Sequence, residues 1–164
     1  MLNSNATNIN KGAAMSQSYS SLLIHIVFST KNRENIITPD IQGELYSYVA
    51  TICKANKSPL LKIGGMQDHI HILLSLSRLV AIAKLVMDIK TNSSKWLKTK
   101  DDKFTDFAWQ KGYGAFTLGQ SAIKQCADYI ANQAEHHKTI SFENEFLNFL
   151  EKYQIKYNQK YIWL

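Results

Sequence analysis

The sequence predicts an α+β fold of the ferredoxin-like (RRM-like) kind, an antiparallel sheet with two helices on one face and C-terminal helices appended. Three observations lead there. Strand-like and helix-like segments follow one another in the order β-α-β-β-α-β, the split-βαβ pattern. Only 2 Pro and 7 Gly occur in 164 residues, which leaves most of the chain free for regular structure. Residues 69–76 alternate like a strand: Ile70, Ile72, Leu74 and Leu76 point to one face, His69 and His71 to the other.

Each element has its own signal. Residues 21–29 (SLLIHIVFS) are rich in Ile, Leu, Val and Phe and read as a buried strand. Thr38-Pro39-Asp40 supplies a helix start, with Thr as cap, Pro at the first position and an acid in the first turn. Ile41, Leu45, Val49 and Ile52 carry that helix at helical spacing to about Asn56, and Pro59 stops it. A second strand follows at 60–65, ending in Gly64-Gly65, and the third is the alternating segment. The next helix covers about 80–98, with a stripe at Ile82, Leu85, Val86, Ile89, Trp96 and Leu97. Residues 104–114 read as an aromatic, glycine-containing loop, and 115–118 as a short fourth strand. Helices at 121–137 and 141–153 close the fold. One domain, 19–164, is expected, preceded by a polar extension (1–18) read as disordered or non-native.

Composition excludes several classes. Apolar residues at 45% and charged residues at 20% are globular values, and no apolar run approaches a bilayer span. With no export leader recognised, Cys53 and Cys126 are expected as free thiols in a reducing cytoplasm, and neither sits at a metal-ligand spacing. Nineteen basic against thirteen acidic residues give +6 and a pI near 9.2, a balance that suits an anionic partner. No Walker-type glycine loop is present, so no nucleotide cofactor is expected.

Two constellations carry chemistry. His69 and His71, one pleat apart on what the pattern reads as the open sheet face, can bind one divalent cation through neutral nitrogens. Taken alone, the pair is a weak signal, and a half-solvated strand whose outward positions happen to be histidine fits it better. In the helix at 121–137, Ile123, Ala127, Ile130 and Ala134 form the apolar stripe, and Tyr129 and Gln133 are neighbours four apart on another face. A tyrosine beside an amide donor suggests a nucleophile next to a metal; an amphipathic helix with a boundary tyrosine gives the same pattern. Joined, the two make sense for phosphodiester chemistry. A phenol with a pKa near 10 is a weak nucleophile at neutral pH, and a metal would polarise the phosphate it attacks.

These residues belong to five landmarks in order: HIVFSTKNR (25–33), DHIHILLSL (68–76), DIKTNSSKWL (88–97), FAWQKGYGAF (107–116) and YIANQAEHHKTISFENEF (129–146). With them the sequence resembles the single-tyrosine transposases of prokaryotic insertion sequences, within the His-hydrophobe-His endonucleases, including the repeat-associated relatives. The resemblance spans roughly 19–164. It implies Tyr129 as nucleophile, His69, His71 and Gln133 as ligands of Mg2+ or Mn2+, and single-stranded DNA hairpins at element ends as substrate. It also implies a 5′-phosphotyrosine intermediate and a homodimer in which each metal site receives the tyrosine of the partner subunit, although the short Gly119-Gln120 connection before the tyrosine helix equally allows docking in cis.

The remaining polar residues are candidate DNA contacts, each of which taken singly reads first as a solvated surface group: Lys31 and Arg33 after the first strand, Lys90, Ser93, Ser94 and Lys95 on the second helix, Lys111 and Tyr113 in the glycine loop. Trp109 is read as either a stacking or a core residue. His25 is read as a core histidine without a catalytic role, and His136 or His137 as support for the metal or a solvated helix end. The rival function is a noncatalytic nucleic-acid module that stacks bases on the open face of the same sheet. Two histidines there, in place of aromatics, favour the enzyme.

Overall fold

The computed structural model describes residues 18–163, so the expectation for the N-terminal extension lies, apart from Ser18, outside the described residues. Four strands, β1 (Leu23–Ser29), β2 (Leu60–Gly65), β3 (His69–Ser75) and β4 (Gly114–Leu118), form one sheet in the order β2-β3-β1-β4. All neighbours are antiparallel. Register sets Ile26 opposite Ile72 and Phe28 opposite Ile70. That row, with Ile24 and Leu74, faces α1 (Pro39–Ala55) and α2 (Ile82–Leu97) and joins Leu45, Val49, Leu85 and Ile89 in the main core. Each such buried aliphatic or aromatic side chain contributes about 1.5–3 kcal/mol. This half is the ferredoxin-like arrangement the segment order predicts.

The other face departs from expectation. The sequence reading leaves it open, with His69 and His71 toward solvent. Both are 0% exposed. Two helices, α3 (Ile123–Ala131) and α5 (Phe142–Lys152), cover them. On α5, Phe142, Phe146, Phe149 and Leu150 form an apolar stripe that packs on Val27 and Phe116 of the sheet, and Ile162 and Trp163 extend the cluster. The molecule is therefore a helix–sheet–helix sandwich with a second, aromatic core.

The single helix expected at 121–137 is three pieces: a 3-10 turn at Gln120–Ala122, α3, and a one-turn α4 (Gln133–His136). Asn132 breaks it at φ −100°, ψ 22°, with its side-chain amide donating back to the Asp128 carbonyl at 2.9 Å. The break rotates Gln133 inward to 2% exposure and leaves Ala134, expected in the stripe, exposed. Gly64 lets α3 approach: a Cβ there would stand 2.5 Å from the Ile130 carbonyl oxygen, so only glycine fits between β2 and α3.

Candidate active site

The pleat of β3 aims His69 and His71 at α4 and α5, which return Gln133, His137 and Glu145 to the same spot. Ring nitrogens of His69, His71 and His137 and an oxygen of Glu145 all lie within 4.8 Å of one another. Glu145 Oε2 is 3.3 Å from His71 Nε2, 3.2 Å from His137 Nε2 and 3.8 Å from His69 Nε2. Gln133 Oε1 sits 3.2 Å from His69 Nε2 and 3.0 Å from His137 Nε2.

Outer partners decide which way these donors face. His69 Nδ1 donates to Asp68 Oδ1 at 2.7 Å, and His137 Nδ1 donates to the Ile140 carbonyl at 2.9 Å. Neither acceptor can donate in return, so in the neutral rings the Nε2 lone pairs point inward. His71 Nδ1 pairs with His25 Nε2 at 2.9 Å. Gln133 is oriented by its amide nitrogen, which faces Glu145 Oε1 at 3.2 Å and the Tyr129 carbonyl at 3.5 Å; flipping it would set oxygen against oxygen. His71 Nε2 and Glu145 Oε2 are buried with no hydrogen-bond partner. An orphaned buried polar atom costs about 1–3 kcal/mol, and here two face each other at 3.3 Å. The arrangement calls for positive charge at its centre.

Electrostatics agree. Burial opposes ionisation of Glu145, yet the imidazoles of His137 and His71 facing it, with the Tyr129 phenol, hold its carboxyl well below the ordinary carboxylate range. Burial lowers His71 and pushes His25 down to about 3, so His25 is neutral at physiological pH. Burial also works against His137, but Glu145 outweighs it and raises that ring. Neutral imidazoles, an amide oxygen and an ionised carboxylate are divalent-cation donors. Lying within 4.8 Å of one another, the three ring nitrogens and the carboxylate oxygen are close enough for one cation to be held by all of them. The residues present fit a metal.

Tyr129, near the end of α3, reaches the edge of this cluster in the same chain. Its phenol donates to Glu145 Oε1, and its oxygen lies 3.2 Å from His136 Nε2. Its ring is edge-on to His71 with centroids 5.8 Å apart. Burial, then Glu145, raise its pKa well above the ordinary phenol value, so the proton stays on the oxygen in this state. A cavity of about 280 Å³ opens beside it between α3 and α5, lined by Gln125, Tyr129, Phe149, Lys152 and Tyr153 among others.

The profile of the family described as "Transposase IS200 like" matches residues 18–133, most of the chain. The chain belongs to this family. It is 23% identical over 114 residues to the ISDra2 transposase TnpA of Deinococcus radiodurans, covering 66% of this chain and 81% of that one. Its fold resembles a candidate transposase from Deinococcus radiodurans R1, at TM-score 0.57 and 22% identity over 72% of this chain and 95% of the other. A REP-associated tyrosine transposase bound to a REP hairpin superposes equally well, TM-score 0.57 at 12% identity, over 76% and 74%. An IS200-like transposase fold is thus what the five landmarks foreshadowed.

Of the expected site residues, Tyr129, His69, His71 and Gln133 come together. Glu145 and Asp68 were missed as site residues. Glu145 had a signal: it is an acid within the apolar stripe of α5, between Phe142 and Phe146, where a carboxylate needs a compensating partner. His25 was expected to be a core histidine, and the structure adds its contact to His71.

The expected DNA contacts fall in two places. Lys90, Ser94, Lys111 and Tyr113 line a groove of about 370 Å³ between α2 and the glycine loop. Lys90 donates there to the carbonyls of Gln110 at 2.8 Å, Lys111 at 3.3 Å and Gly112 at 2.6 Å, and burial pushes its pKa down to about 8. Lys95 is exposed on α2. Ser93 is fully buried, donating to the Ile89 carbonyl at 2.6 Å and accepting from Trp109 Nε1 at 2.9 Å. Trp109 itself is core, edge-on to Phe28 and Phe107. Elsewhere, Lys31 is exposed, while Arg33 pairs with Glu143 and lies over Trp163. Among the described residues no helix is long and apolar enough to cross a membrane.

Proposed function

We propose that this IS200-like transposase cleaves and rejoins single-stranded DNA through a 5′-phosphotyrosine intermediate, with Tyr129 as nucleophile and His69, His71 and Gln133 as ligands of Mg2+ or Mn2+. The observation that carries the reading is the meeting of the Tyr129 phenol with a buried cluster of inward-facing donors. The phenolic oxygen forms a bond to phosphorus, the 3′-oxygen leaves as a hydroxyl, and the phenol proton is released. One phosphodiester is exchanged for another, so rejoining needs no ATP. A divalent cation, when bound, supplies Lewis-acid polarisation of the phosphate.

The chain's own groups do the rest. Asp68 fixes the tautomer of His69, and His25 fixes the ring of His71. Glu145 and His136 hold the phenolic oxygen in place. The hairpin-bound relative supports a DNA hairpin as substrate. The dimer of the family resemblance remains part of the proposal, with the tyrosine docked against its own chain's cluster as in this structure. A module that stacks bases on an open sheet face finds little support, because α3 and α5 cover that face.

The test is incubation with a 3′-labelled single-stranded element end. A labelled covalent protein band that requires divalent metal and disappears in Tyr129→Phe is expected. A band of undiminished yield in Tyr129→Phe would assign the nucleophile elsewhere.

A further inference from the structure

The geometry points to a metal centre larger than the three ligands just named: His137 and Glu145 complete a five-donor set, and Glu145 links that set to the nucleophile by sharing one carboxylate between them. The inference rests on the metal-site part of the proposed function and deepens it.

The family match ends at Gln133, so both added donors come from the chain beyond it. His137 follows the single turn of α4, and its Nε2 faces Gln133 Oε1 and Glu145 Oε2 while Nδ1 is committed to the Ile140 carbonyl. Any buried imidazole N–H needs such a partner, but here the other nitrogen is turned onto two further donors. In a metal-ligating imidazole the anchor selects the tautomer whose other nitrogen is free. Glu145 is 2% exposed, and its Oε2 has no hydrogen-bond partner although three imidazole nitrogens lie within 3.8 Å. Its Oε1 is occupied by the Tyr129 phenol and the Gln133 amide nitrogen. The two oxygens thus have separate duties, one toward the donors and one toward the nucleophile.

Local sequence explains how α5 delivers this carboxylate. Ser141 caps the helix, its hydroxyl accepting from the Asn144 backbone at 3.3 Å. Phe142 and Phe146, on either side of Glu145, are buried in the second core. Phe142 also stacks on His69, centroids 4.6 Å apart. The aromatic stripe therefore sets the depth at which Glu145 enters, and the centre closes only when α5 is seated.

Mn2+ binding to the purified full chain, followed by electron paramagnetic resonance and calorimetry without DNA, tests this. Wild type is expected to bind one Mn2+ with three imidazole nitrogens counted in pulsed spectra. Glu145→Gln and His137→Gln, which retain side-chain volume, should each weaken binding at least ~tenfold. His137→Gln should also remove one nitrogen from the count. Glu143→Gln, two residues earlier on another face of the same helix, should bind as wild type. Thermal melts without metal establish that each variant is folded, and added Mn2+ should raise the Tm of wild type far more than that of either ligand variant. Wild-type affinity in folded Glu145→Gln or His137→Gln would overturn the five-donor centre; if His69→Ala still lost binding, the smaller metal site and the proposed function would survive. A wild-type protein that binds no Mn2+ would overturn both.

Discussion

His25 and His71 stack across adjacent strands, ring centroids 5.1 Å apart, with Nε2 of the first 2.9 Å from Nδ1 of the second. Burial holds His25 neutral, so it serves His71 as a hydrogen-bond partner without adding charge beside the donors. His25→Phe should keep the fold, since the ring sits among Phe116 and Phe149, yet free His71 to rotate. The expected result is about 10–100-fold weaker Mn2+ binding, measured by calorimetry, with a proportionate fall in adduct yield. Unchanged affinity would reduce His25 to core packing.

Gly64→Ala tests the seating of α3. Its Cβ would meet the Ile130 carbonyl oxygen, part of the helix backbone, so α3 must shift away from β2 and carry Tyr129 with it. A displacement near 1 Å costs on the order of 100-fold in rate. Adduct formation should fall by that order while Mn2+ affinity changes less, because His69 and His71 belong to the sheet. Equal losses in both would locate the damage in the sheet itself.

Metal removal and exchange give a third expectation. A chelator should abolish adduct formation by wild type, and His69→Ala and His71→Ala should not recover with any added metal. Because imidazole donors outnumber hard oxygens, Mn2+ should restore wild type at lower concentration than Mg2+. Titration of adduct yield against each metal measures this, and a preference for Mg2+ would argue for an oxygen-dominated shell.

Salt dependence separates the basic residues. Lys95 is exposed, so Lys95→Gln should flatten the log–log salt slope of hairpin binding by about one unit if it meets a phosphate. Lys90 spends its ammonium on three loop carbonyls, so Lys90→Met should lower the thermal midpoint as well as affinity. A Lys90→Met protein as stable as wild type, with only the slope altered, would make Lys90 a phosphate contact first.

The sheet and its first helical layer were legible because local and tertiary signals coincide there. The Ile70, Ile72, Leu74 alternation and the Leu45, Val49 spacing both name the face that is buried. The second layer was legible only in part. The stripe Phe142, Phe146, Phe149 marks α5 as amphipathic, but periodicity says that a face is covered and not what covers it. So the two histidines read as solvent-facing, when α5 closes over them. Likewise, helical spacing through 121–137 hides the interruption at Asn132, and that one residue moves Gln133 from the flank of a helix to the middle of the cluster. Tyr129, His69, His71 and Gln133 stood out by their chemistry; Glu145 was marked only by its place in an apolar stripe, because its partners are assembled by the fold.

The cavity between α3 and α5 has a consequence for what can approach. Tyr129 and the donor Glu145 both line a recess of about 280 Å³ that is walled by Phe149, Tyr153 and the Lys152 side chain. That is room for roughly a single flipped-out nucleotide and far too little for paired strands. Aromatic walls welcome an unstacked base, and the lysine offers a counter-charge to its phosphate. If the proposed cleavage of single strands holds, the shape of this doorway would favour unpaired DNA before any sequence is read.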